Sequence, residues 1–119
     1  MPGVFQNANQ FNQNIGSWDV SRVTDTAAML NGASAFNNGS SDSIANWNTS
    51  NLVIANDMFR KAASFNQPIG AWDMKKVQFL VRFLSDATSF NQSLAAWRLD
   101  SLVILPGKPL SGAAAALDH

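Results

Sequence analysis

Residues 65–89 read FNQPIGAWDMKKVQFLVRFLSDATS, and at Phe90 the phrase starts again with FNQSLAAW. Upstream, FNQNIGSWDVSRVTDTAAMLNGASA begins at Phe11, and a less regular version begins at Phe36. A repeat of this length decides the fold before local propensity does. One short unit cannot bury its own apolar face, so its neighbours must cover it. Two aromatic columns set the register. Trp18, Trp47, Trp72 and Trp97 are 29, 25 and 25 residues apart, and Phe11, Phe36, Phe65 and Phe90 are 25, 29 and 25 apart. Both columns give a 25-residue period with one insertion of 29 − 25 = 4 residues. It falls between Phe36 and Trp47, where NNGSSDS has the composition of a loop pushed outward.

Further columns keep the period. Ile15, Ile44, Ile69 and Leu94 stand three residues before each Trp, and Val23, Leu52, Val77 and Leu102 five after it. Met29, Met58 and Phe83 stand eleven after, followed by Leu30, Phe59 and Leu84, with Ala33, Ala62 and Ala87 fifteen after. With the Phe and Trp columns, these positions are the expected repeat core. The opening VFQNANQ fits the end of a preceding copy, with Phe5 in the place of Leu30 and Ala8 in that of Ala33. The pattern decays at Pro106-Gly107-Lys108-Pro109, where two prolines forbid a regular helix. We expect a repeat domain over 1–105, with copies starting near 11, 36, 65 and 90 and a partial copy before 11. An off-pattern tail follows over 106–119.

Each copy reads as two short elements. Phe-Asn-Gln-x-Ile/Leu, apolar at both ends and polar between, predicts a brief strand. From Thr24 to Ala33 the apolar spacing approaches a helical stripe. Thr24 and Asp25 would cap its start and Gly32 would end it. The expected fold is therefore α/β: a leucine-rich-repeat-like solenoid of about four 25-residue coils, each a short strand plus a short helix.

Composition narrows function. Eight basic residues balance eight acidic ones, all Asp. Such a neutral chain lacks the basic footprint that phosphate-backbone binding needs, so no nucleic-acid partner is expected. No apolar run is long enough to cross a bilayer, so no membrane insertion is expected. MPGVFQNANQ has neither the basic start nor the apolar run of a signal peptide. Cysteine is absent, which removes disulfides and thiolate metal sites and fits either redox compartment. The one His, His119, is the last residue, so Ser-His-Asp chemistry lacks a placed base. No catalytic residue, cofactor or metal is expected.

Several columns could carry binding. Asp19 and Asp73 follow Trp in their copies, and Asn48 and Arg98 fill the same column. A calcium ladder is one reading. Turn capping is the favoured one, because Arg98 would repel a cation. Asn12, Asn37, Asn66 and Asn91 could meet sugar hydroxyls, but an internal amide ladder is the commoner use. The Trp column could stack on carbohydrate, yet its fixed phase with Ile and Val favours packing. Seven residues after each Trp stand Asp25, Ile54, Phe79 and Ile104, a flank that turns apolar after the first copy. Ile54, Phe79, Val81 and Ile104 are accordingly the candidate interface.

The phrases FNQNIGSWDVSRVTDTAAMLNGASAFN and NDMFRKAASFNQPIGAWD resemble the repeat of the BspA-like surface-protein family, over about residues 4–104. That resemblance implies a leucine-rich-repeat-like solenoid, a bacterial cell-surface or secreted location, and a binding role without catalytic residues. The sequence itself is equally compatible with the cytoplasm. The function expected is a non-catalytic module for protein–protein interaction or adhesion, with a protein partner and self-association, a dimer first. The alternative is a carbohydrate-binding module using the Trp and Asn columns.

Overall fold

The computed structural model describes residues 1–103. Ile104, the tail over 106–119 and His119 lie outside the described residues.

The expected α/β leucine-rich-repeat-like solenoid, with a strand and a helix in every coil, does not form. Among the described residues the regular elements are three 3-10 helices, η1 (Asn38–Ser40), η2 (Asp42–Asn46) and η3 (Ile69–Ala71). Two isolated parallel bridges, Asp25 to Ile54 and Ile54 to Phe79, stand in place of a sheet. The copies are built of successive turns, held to one another by hydrogen bonds that span one repeat.

The segment expected to be helical shows why. Its N–H groups alternate between two destinations. Those of Thr26, Ala28, Leu30 and Gly32 cross to the carbonyls of Ile54, Asn56, Met58 and Arg60 in the next copy, each at 2.8 Å. Those of Met29, Asn31 and Ala33 turn back three residues, to Thr26, Ala28 and Leu30. The pattern recurs one copy later, where Ala55, Asp57, Phe59 and Lys61 donate to Phe79, Val81, Phe83 and Ser85. A helix would spend these donors within the segment. The alternation also needs left-handed backbone at two positions per copy. One column is Gly3, Ala28, Asp57 and Arg82, at φ 64, 56, 59 and 54. The other is Asn7, Gly32, Lys61 and Asp86, at φ 61, 78, 61 and 60. Right-handed helix excludes such values, whereas Gly, Asn and Asp tolerate them. Asp25 does serve the start of the segment, but in a tight turn, where its Oδ1 accepts from Ala27 N–H at 2.9 Å.

The segment expected to be a strand fails for a different reason. Its backbone does not pair directly with the neighbouring copy. The Asn side chain intervenes: Asn12 Oδ1 accepts from Asn37 N–H, Asn37 Oδ1 from Asn66 N–H, and Asn66 Oδ1 from Asn91 N–H, at 2.7, 2.8 and 2.9 Å. An amide side chain thus occupies the place of a ladder carbonyl, and no strand is made.

The core runs through the stack. The rings of Phe11, Phe36, Phe65 and Phe90 lie nearly parallel, with successive centroids 5.6, 5.9 and 5.9 Å apart. Ile15, Ile44, Ile69, Leu94, Met29, Met58, Phe83, Leu52 and Val77 are buried around them, while Val23 and Leu102 are partly buried against the core.

The insertion is also only partly a loop. Gly39, Ser40 and Asp42 are exposed, but Asn38 is fully buried. Its Oδ1 accepts from Ile15 N–H at 2.7 Å, and its Nδ2 donates to Ser41 O and Ser43 Oγ. Burying this amide is tolerable because both of its ends are bonded.

Candidate interaction surface

The polar groups of the repeating columns are spent largely inside the stack. The indole N–H groups of Trp47, Trp72 and Trp97 donate to the carbonyls of Ile15, Ile44 and Ile69 in the preceding copy, each at 2.9 Å. These three rings are buried, and Trp47 stacks on Trp72 with centroids 5.7 Å apart. The Asn amides serve the neighbouring backbone, and Gln67 and Gln92 add Nε2 donations to Asn37 and Asn66. After each Trp, Asp19, Asn48 and Asp73 accept from the N–H two residues on, in Ser21, Ser50 and Lys75. The Ser21 hydroxyl, followed by its N–H, holds the Asp19 carboxyl below the ordinary carboxylate range. Among the described residues no cluster of three Asp or His side chains could hold a metal ion.

The flank column lies where the copies are bridged. Asp25, Ile54 and Phe79 pair successively through backbone, and their side chains are half-buried. Val81 is half-buried beside them, with its N–H bonded to Asn56 Oδ1 at 2.7 Å. Val53 is also half-buried, and Val103 is 42% exposed. The apolar strip therefore starts at the second copy, since the first carries Asp25 and Ala27 in these places. Ile104, the fourth member expected in the column, lies outside the described residues.

One side of the strip is charged. Arg82 Nε and Nη2 reach Asp57 Oδ1 and Oδ2 at 2.8 and 3.2 Å, and the hydrogen bond to that carboxylate raises the Arg82 pKa above its usual value. Arg60 Nη1 stands 4.0 Å from Asp57 Oδ1, while its buried Nε has no partner. Sequence reasoning passed over this cluster. Its signal was the column ten residues after each Trp, where Asp57 and Arg82 stand one repeat, 82 − 57 = 25 residues, apart.

The described residues line at least two concave sites. A hollow of about 10 Å³ between Val20, Trp47, Leu52, Met58 and Trp72 has room for about one water. A more open groove of about 240 Å³ is bordered by Trp72, Asp73, Lys75 and Arg98. No helix of the described residues is long and apolar enough to cross a membrane.

Trp18 departs from its column. It is 39% exposed, and among the described residues no carbonyl accepts its indole N–H. Val4, at the same end of the stack, is 51% exposed.

The family model described as "Mycoplasma protein of unknown function, DUF285" matches residues 1–106. No curated protein and no solved structure matches the chain.

Proposed function

The chain belongs to the DUF285 family, and from that premise we propose that it is a non-catalytic repeat module that binds protein, itself included, at a bacterial cell surface. The resemblance of its phrases to the BspA-like repeat supports the location and the adhesive role. The observation that carries the reading is the half-exposed apolar strip of Ile54, Phe79 and Val81 beside the Asp57–Arg82 ion pair. An apolar centre with a polar rim is the anatomy of a protein contact surface. In the columns that could otherwise recognise small polar ligands, the side-chain oxygens of Asn12, Asn37, Asn66, Asp19, Asn48 and Asp73 accept from backbone N–H groups.

Carbohydrate binding through the Trp column keeps one exposed indole, Trp18, for a stacking platform. A polysaccharide screen separates the two readings. Phe79→Asp tests the strip. Because Phe79 is only half-buried, the variant should stay folded in a thermal melt and lose self-association or partner binding in sedimentation. A folded Phe79→Asp protein that binds and associates as the wild type does would overturn the assignment of the strip.

A further inference from the structure

We infer that the apolar strip of the second and third copies takes an extended acidic segment of another protein, with the segment's apolar side chains on Ile54, Phe79 and Val81 and its carboxylates on Arg60 and Lys76. The inference rests on the protein-binding reading above and gives the partner a chemistry.

Charge is the first observation. The chain as a whole is neutral, with eight bases and eight acids, but the surroundings of the strip are not. Arg22 and Lys76 stand three residues before Asp25 and Phe79, and Arg82 stands three after Phe79. With Arg60, which lies against Asp57, these four bases meet two acids, Asp25 and Asp57, a formal 4 − 2 = +2. The next charges out, Lys61 and Asp86 on one side and Asp73 and Lys75 on the other, cancel.

The two acids are already engaged, whereas two of the bases keep their charge. Asp25 Oδ1 accepts from Ala27 N–H. Arg82 takes both oxygens of Asp57, at 2.8 and 3.2 Å, so Arg60 is left 4.0 Å from Oδ1 with its Nε unpartnered. Lys76 Nζ meets the neutral amide oxygen of Asn51 at 3.2 Å, which leaves the ammonium charge uncancelled. An arriving carboxylate supplies the second anion that the pair of guanidinium groups around Asp57 lacks.

The backbone decides how such a segment is held. The N–H groups of Ile54, Phe79 and Val81 donate to Thr24 O, Val53 O and Asn56 Oδ1, and their carbonyls accept from Thr26, Ala55 and Asp57. Strand addition needs free backbone groups at an edge, and these three residues offer no free N–H. Recognition therefore falls to side chains: apolar contact supplies the area, and charge selects the partner. An anionic membrane would use the same bases, but each adds only about 1 kcal/mol at such a surface. A formal +2 is a small hold there, and side chains half-buried in the stack reach little depth.

The test uses the 119-residue chain at concentrations where it is monomeric. The probe is a fluorescein-labelled peptide alternating Asp with Leu, about eight residues or roughly 27 Å when extended, long enough to reach from Lys76 to Arg82. Peptides alternating Lys with Leu and Asp with Ser are the controls. In fluorescence anisotropy the Asp–Leu peptide should bind more tightly than either control, and added salt should weaken it. Lys76→Gln and Arg60→Gln should each weaken that binding by up to about fivefold, and Phe79→Asp should abolish it. Lys76 is exposed, so Lys76→Gln should melt as the wild type does and carries the test even where Arg60→Gln disturbs the fold. Equal affinity for the Asp–Leu and Lys–Leu peptides, or no binding of the Asp–Leu peptide at about millimolar concentration, would overturn the inference. Loss of self-association in Phe79→Asp would then leave the protein-binding reading in place. Phosphatidylserine vesicles that bind through Lys76 and Arg60 while the Asp–Leu peptide does not would overturn the inference in favour of a membrane surface. Peptide binding unchanged by Phe79→Asp would also overturn it, and unchanged self-association of the same variant would overturn the assignment of the strip with it.

Discussion

Replacing Trp72 with Ala removes a ring that is 3% exposed, stacked on Trp47 and tilted against Phe59 at 6.1 Å. Burial lost and cavity left behind place the cost at about 3–5 kcal/mol. The lost indole N–H adds little, because the Ile44 carbonyl keeps its bond from Trp47 N–H at 3.1 Å. Against a typical total of about 5–15 kcal/mol, this is a large share of the stability. Trp18→Ala is the internal control. The same truncation, at a ring that is 39% exposed and donates no hydrogen bond to a described residue, should cost clearly less. Urea unfolding followed by circular dichroism, at concentrations low enough to keep the protein monomeric, would measure both. Equal losses for the two variants would refute the view that stability comes from the neighbouring copy rather than from the Trp residue as such.

Other perturbations probe separate bonds. Asn38→Ala leaves the buried Ile15 N–H without its acceptor and should cost about 1–3 kcal/mol; deleting Gly39 to Asp42, largely exposed, should cost less by the same unfolding assay, since loop length carries a weak entropic penalty. Gly32→Ala should destabilise by about 1–2 kcal/mol in denaturant melts, because φ is 78 there and a Cβ would run into the Asn7 side chain. Asp19 should titrate below the usual carboxylate range when followed by NMR, and Ser21→Ala should move it back up. Since its folded pKa is depressed, any stability it contributes is present above the ordinary Asp pKa and fades as pH falls through the folded value.

The sequence by itself determined the period, the place of the insertion and the columns that now lie in the core, because burial repeats wherever the chain repeats. It also pointed to the uses of two polar columns. Asn at one fixed position per copy suits a side-chain acceptor for the next copy, and Asp or Asn after Trp suits a tight turn. The expected strand gives way to the Asn side-chain acceptors, and the expected helix has a separate physical reason for not forming. Turns that return the chain every few residues place Met29, Leu30 and Ala33 inward at nearly the spacing of a helix, so periodicity cannot tell the two apart. The difference lies in where the N–H groups go. For Thr26, Ala28, Leu30 and Gly32 the acceptors are 28 residues away. Only the tertiary structure decided that half of these donors would leave the segment, that Asn38 would turn inward, and that Trp18 alone among four equivalent indoles would face solvent. Each of these outcomes depends on contacts with other copies, which no single copy records.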